Sequence, residues 1–141
     1  MTQTVEKWMT KGVVSTSKDE PLVTGLELMA DGQIRHVLVV DGEGHLQGIL
    51  SNRDVVRATM TNPERTLDIH NTRIEQIMTQ GDLQTIQPSA SIGQAAEAFL
   101  AHKINALPVT DGAGKVQGII TSEDVLRAVI RSEYGHKRPD L

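Results

Sequence analysis

The 141-residue sequence predicts an α/β (α+β) fold built from two β-α-β-β-α repeats related by a pseudo-twofold axis. Three observations carry that expectation. Residues 30–60 align without a gap on residues 100–130 at an offset of 70, with twelve identities in thirty-one positions. Upstream, VEKWMTKG from Val5 matches IEQIMTQG from Ile74 at an offset of 69, so the second copy gained one residue near Ser17 or Gln87. Within each copy the apolar pattern switches between helical spacing and short β-rich runs. Repetition at a fixed interval dictates architecture. One copy alone would bury too little surface to be comfortably stable, so the two are expected to share a core.

The repeats are placed at residues 5–62 and 74–132, with a polar connection over 63–73 and a charged tail over 133–141. In the first copy a helix is expected to begin near Pro21, a residue suited to a first helical turn. In the second, Ser91 and Gln94 have capping-box spacing. Leu22, Leu26 and Met29 then share one helical face, as do Ile92, Ala95, Ala96 and Phe99. The runs VLVV (Val37–Val40) and ALPV (Ala106–Val109) read as strands, and DGEG and DGAG as the hairpin turns that follow them. LQGIL and VQGII return, and a last helix follows in each copy. Val55, Val56, Thr59 and Met60, and likewise Val125, Leu126, Val129 and Ile130, are expected to form its buried stripe.

Composition narrows the functional classes. Hydrophobic residues make up 38% and charged residues 23% of the chain, values ordinary for a globular protein. A net charge of −4 lacks the basic footprint of a nucleic-acid binder, and Trp8, Phe99 and Tyr134 are the only aromatics available for base stacking. Without cysteine there is no disulfide framework, thiol nucleophile or thiolate metal site. No apolar run reaches the roughly 18–20 residues that span a bilayer, and the N-terminus has no signal-peptide pattern, so a cytoplasmic address and no membrane partner are expected. His36, His45, His70, His102 and His136 show no zinc-like spacing, and no metal site is expected. The glycine pairs lack the helix-entry lysine of a phosphate loop. Glu27 and Glu97 have no paired base, and no nucleophile stands beside one, so no catalytic residue is assigned and the chain is expected not to be an enzyme.

The doubled phrases GILSNRDVVRA (Gly48–Ala58) and GIITSEDVLRA (Gly118–Ala128) place Ser51-x-x-Asp54 and Thr121-x-x-Asp124 where a strand hands over to a helix. One reading is a helix N-cap, with Asp favoured by the macrodipole. The other adds a ligand: free N–H groups and a hydroxyl can cradle an oxygen anion, and an acceptor-only carboxylate can hold both hydroxyls of a ribose. Both can hold together.

In order and in doubling, MT at Met9–Thr10 and Met78–Thr79, RHVLVVD and NALPVTD, and GILSNRD and GIITSED resemble a tandem pair of cystathionine β-synthase (CBS) domains, a Bateman module. The resemblance covers residues 5–132, and departs at Leu38, where the family's usual proline appears only as Pro108. It implies a non-catalytic, regulatory sensor binding an adenosine-containing nucleotide (AMP, ADP or ATP) in clefts between the two repeats, with no obligatory cofactor. One cleft would combine Thr10, Ser15 and Ile34 with Thr121 and Asp124, the other Thr79, Gln84 and Ile104 with Ser51 and Asp54. Ile34 and Ile104 would wall the adenine, the backbone near Ser15 and Gln84 would read its amino edge, and Arg35 with His36 would meet phosphates. The second copy has Asn105 and Ala106 there, so the clefts are expected to differ. The resemblance also implies a homodimer through helical faces and an effector protein as partner. A structural or dimerisation module with vestigial clefts, or a sensor of S-adenosylmethionine or a dinucleotide, stands as the alternative.

Overall fold

Elements over the described residues, 3–61 and 66–135 of the computed structural model, follow the duplicated order. They are α1 (Val5–Trp8), β1 (Ser15–Thr16), α2 (Leu22–Gly32), β2 (His36–Val40), β3 (Leu46–Ser51) and α3 (Asn52–Thr61), then a 3-10 turn (Ile74–Gln76), α4 (Ile92–His102), β4 (Ala106–Thr110), β5 (Val116–Thr121) and α5 (Ser122–Tyr134). α5 runs into the stretch read as tail, and His136 lies outside the described residues.

The compact units do not coincide with the sequence repeats. One unit is Val13–Leu83; the other joins the chain up to Gly12 with the chain from Gln84 onward. Each copy's leading segment therefore folds onto the other copy's hairpin. Thr10 exchanges both backbone hydrogen bonds with Ile119 (2.9 and 3.1 Å), and Thr79 does the same with Ile49 (2.8 and 3.0 Å). The glycines of the repeated QGI make this possible. A Cβ on Gly118 would come within 2.6 Å of the Thr10 carbonyl oxygen, and one on Gly48 within 2.6 Å of the Met78 sulfur and 2.9 Å of the Thr79 carbonyl oxygen. That proximity leaves room only for glycine.

In the Val13–Leu83 unit, β1 runs parallel to β2 and β2 antiparallel to β3. Leu22, Met29, Val37, Val39, Leu50, Ile74 and Met78 form its core, with Leu67 and Ile69 of the connection packed against it. In the other unit β4 and β5 pair, over a core that includes Val5, Ile92, Ala95, Phe99, Leu107, Val109 and Ile120. The counterpart of β1 shrinks there to a single bridge, Ile86 to Val109. Pro108 supplies the reason. Leu38 donates its N–H to Val14, whereas proline at the matching position has none to give.

Both hairpins turn on an aspartate. Asp41 Oδ1 accepts the N–H groups of Glu43 and His45 at 2.9 Å, and Asp111 Oδ1 those of Ala113 and Lys115 at 2.9 and 3.0 Å. Gly44 and Gly114 follow at φ 86° and 87°, the left-handed residue that lets the strand return with a bulge. The His45 N–H holds the Asp41 carboxyl below its ordinary value of 3.8, against a smaller opposing effect of desolvation.

Helix starts differ slightly from expectation. Pro21 is the extended residue before α2 rather than its first helical one. Ser91 and Gln94 do close a reciprocal capping box, at 3.0 and 2.9 Å. The stripe expected on the last helices is out of phase. Val56, Met60, Leu126 and Val129 are 55%, 73%, 60% and 55% exposed, and the inward face of α5 is Asp124, Val125 and Ala128. The capping aspartates explain the shift: each is drawn inward by its hydrogen bonds, turning the face by one position and leaving the outer apolar residues uncovered.

Candidate functional site

Each strand-to-helix junction forms because the last strand residue and the third helical residue satisfy one another. Ser51 donates its N–H (2.9 Å) and its hydroxyl (3.0 Å) to Asp54 Oδ2, and its Oγ accepts the Asp54 N–H at 3.1 Å. Thr121 likewise donates its N–H (2.8 Å) and hydroxyl (3.1 Å) to Asp124 Oδ2. Both aspartates are buried, at 8% and 7% exposure, with every hydrogen bond to Oδ2 coming from the helix start. Capping is thus the structural work of one oxygen, and Oδ1 is the oxygen left for other chemistry.

The two Oδ1 atoms differ. That of Asp54 accepts the Thr79 hydroxyl at 3.0 Å. That of Asp124 accepts the Arg127 guanidinium at 3.1 Å, and Arg127 also pairs with Glu123 at 3.6 Å. A neutral donor sits at one dyad and a cation at the other.

The remaining candidates divide between the units. Ser15, Ile34, Arg35 and His36 belong with Ser51, Asp54 and Thr79 in the Val13–Leu83 unit; Thr10, Gln84 and Ile104 belong with Thr121 and Asp124. His36 is directly across from Ser51, and the Arg35 carbonyl accepts the Asn52 N–H at 3.1 Å, so Arg35, His36 and the dyad gather at one end of the sheet. Asn105 accepts from Ser122 at 3.0 Å and Ala106 faces Thr121 in the same way. Arg35 is exposed and His36 half-buried. Ser15 is exposed on β1 opposite Leu38, and Gln84 is exposed. Ile34 and Ile104 are half-buried, each packed on its own unit's core. Within a unit the structure joins Thr79 to Asp54 side chain to side chain, whereas Thr10 reaches its dyad's strand through backbone alone.

A cavity of about 430 Å³ lies beside the Ser51–Asp54 junction, lined by one face of α3 (Asp54, Arg57, Thr61) and by Gln76, Ile77 and Thr79 across from it. Sequence reasoning missed Arg57. Its signal was present: Arg57 and Arg127 are identical in the aligned copies, one turn after each aspartate.

Comparison with known proteins places these features in a wider set. The CBS domain family model matches residues 5–61 and 74–131. An inosine-5′-monophosphate dehydrogenase of Nitrosopumilus maritimus is 32% identical over 83% of this chain, which spans only 22% of that enzyme. The AcuB protein of Vibrio cholerae superposes with a TM-score of 0.82 at 28% identity, over 94% of this chain and 96% of its own. CBSX2, solved in complex with AMP, superposes at 0.77 with 25% identity, over 93% and 98%. Among the described residues no helix is long and apolar enough to cross a membrane.

Proposed function

The chain belongs to the CBS domain family, and from that premise we propose that it is a non-catalytic, cytoplasmic, regulatory sensor of an adenosine-containing nucleotide: AMP, ADP or ATP. One observation carries this reading. Two buried aspartates, held by the same hydrogen bonds to Ser51 or Thr121, each direct one carboxylate oxygen away from the helix cap. A carboxylate offers about four acceptor positions, so each retains capacity for the vicinal hydroxyls of a ribose. AMP bound to CBSX2 supports the ligand class.

Thr10 and Thr79 flank the dyads in this reading, Ile34 and Ile104 meet the apolar face of the base, and backbone near Ser15 and Gln84 meets its amino edge. Arg35 and His36 serve the phosphates. Ligand acts by binding two arrangements of the protein unequally, which an effector protein reads. The uncovered apolar residues Val56, Met60, Leu126 and Val129 support a homodimer through the last helices. Sedimentation of wild type as a dimer, and of Leu126→Glu as a monomer, is the expected result.

A thermal-shift panel tests the function itself. A nucleotide at 100 times its dissociation constant stabilises by about 2.7 kcal/mol. AMP, ADP or ATP should raise the melting temperature and do so less in Asp54→Asn or Asp124→Asn. No shift with any adenosine compound favours the structural module instead.

A further inference from the structure

The cavity beside α3 has a counterpart position in the other unit, and the two are furnished differently. By the repeat offsets Ile77 corresponds to Trp8, Thr61 to Arg131, Ala58 to Ala128 and Thr72 to Gln3. The backbone verifies the last pairing, since Leu22 donates to the Thr72 carbonyl as Ile92 does to that of Gln3. In the Gln84-onward unit this position is filled. The Arg131 guanidinium lies 5.9 Å above the Trp8 ring, the Trp8 N–H donates to the Gln3 side chain, and Gln3 Nε2 donates to the Ala128 carbonyl at 3.0 Å. In the Val13–Leu83 unit the shorter Ile77 and Thr61 line a cavity of about 430 Å³.

Charge differs in the same sense. Arg127 is neutralised by Asp124 and Glu123. Arg57 has Arg53 where Arg127 has Glu123, and Asp54 gives its free oxygen to Thr79 instead. Among the described residues the Arg57 guanidinium has no ion-pair or hydrogen-bond partner, so a planar five-donor cation borders the cavity with none of them neutralising it. Thr61, Gln76 and Thr79 add neutral polar groups, and Asp54 is the one acid on the wall. Hydroxyls on Asp54 and an anion on Arg57 are what this lining can satisfy together.

We infer that the cavity beside α3 is a binding site for a sugar phosphate, with the phosphate on Arg57 and a sugar hydroxyl on Asp54, and that it exists once per chain because Trp8 and Arg131 close its counterpart. The inference rests on the nucleotide reading for the sugar hydroxyl on Asp54 and departs from it by placing the phosphate on Arg57 rather than on Arg35 and His36; its lining stands without the adenine.

Amide chemical shifts of the full chain, titrated with ribose 5-phosphate and with ribose, test it. Ribose 5-phosphate should move the amides of Gln76–Thr79 and α3 and leave Lys7–Thr10 unmoved. Arg57→Gln, a surface change, should weaken ribose 5-phosphate about tenfold or more while leaving ribose unchanged. Ile77→Trp, which copies the other unit, should abolish the response. The inference is overturned if wild type shows no response to ribose 5-phosphate, if Arg57→Gln responds as wild type does, or if Lys7–Thr10 move equally. A response that depends on Arg57, with adenosine and AMP adding no affinity over ribose 5-phosphate, upholds the pocket and sinks the adenosine reading alone.

Discussion

The Thr79 hydroxyl donates to Asp54 Oδ1 at 3.0 Å, joining a residue at the end of the second copy's leading segment to the dyad of the first copy. The same threonine exchanges backbone hydrogen bonds with Ile49, so one residue both completes the sheet edge and fixes the carboxylate. Thr79→Val keeps the shape and removes the donor. The expected loss is about 1 kcal/mol of stability, from a hydrogen bond to a charged acceptor at a partly exposed site. Urea denaturation of the variant against wild type measures it, and Thr10→Val, whose hydroxyl has no matching role, should change little.

Gly118 and Gly48 are predicted to resist replacement by any larger residue. Alanine at Gly118 drives a methyl against the Thr10 carbonyl oxygen, backbone that cannot rotate away, and at Gly48 against Met78 and the Thr79 carbonyl. Each should cost about 1–3 kcal/mol. Gly112→Ala meets nothing within 4 Å and serves as the control, with a melting temperature near wild type.

These contacts also show what the sequence disclosed. Doubling, element order, the hairpins and both dyads were legible because hydrogen-bonding pattern and apolar period are local properties. The Ser91–Gln94 box was readable for the same reason. That MT of each copy would pair with the other copy's QGI was not legible in the residues themselves, since the two copies carry near-identical partners and either pairing satisfies the pattern. Only the family resemblance, which joined Thr10 to Thr121 and Asp124 and Thr79 to Ser51 and Asp54, implied it. The phase of the last helices escaped because apolar periodicity alone ignored Asp54 and Asp124, which face inward. The cavity escaped because it arises from a difference between copies, Ile77 against Trp8, where attention to identities finds nothing.

Acid should weaken the first hairpin in a defined window. The Asp41 carboxyl is held below 3.8 chiefly by the His45 N–H, so its hydrogen bonds contribute stability that is fully present above 3.8 and lost as pH falls through the lower folded value. Carboxyl carbon NMR should report a midpoint under 3.8 for Asp41. In Asp41→Ala the stability deficit relative to wild type should shrink as pH drops through that range.

Nucleotide binding through the paired aspartates is measured most directly by titration calorimetry of AMP into wild type and into the Asp54→Asn/Asp124→Asn double variant. Asparagine keeps an oxygen to cap the helix, and circular dichroism verifies that the variant is folded. Binding in wild type, weakened about a hundredfold or lost in the variant, is the predicted result. Equal affinity in the two proteins would contradict it.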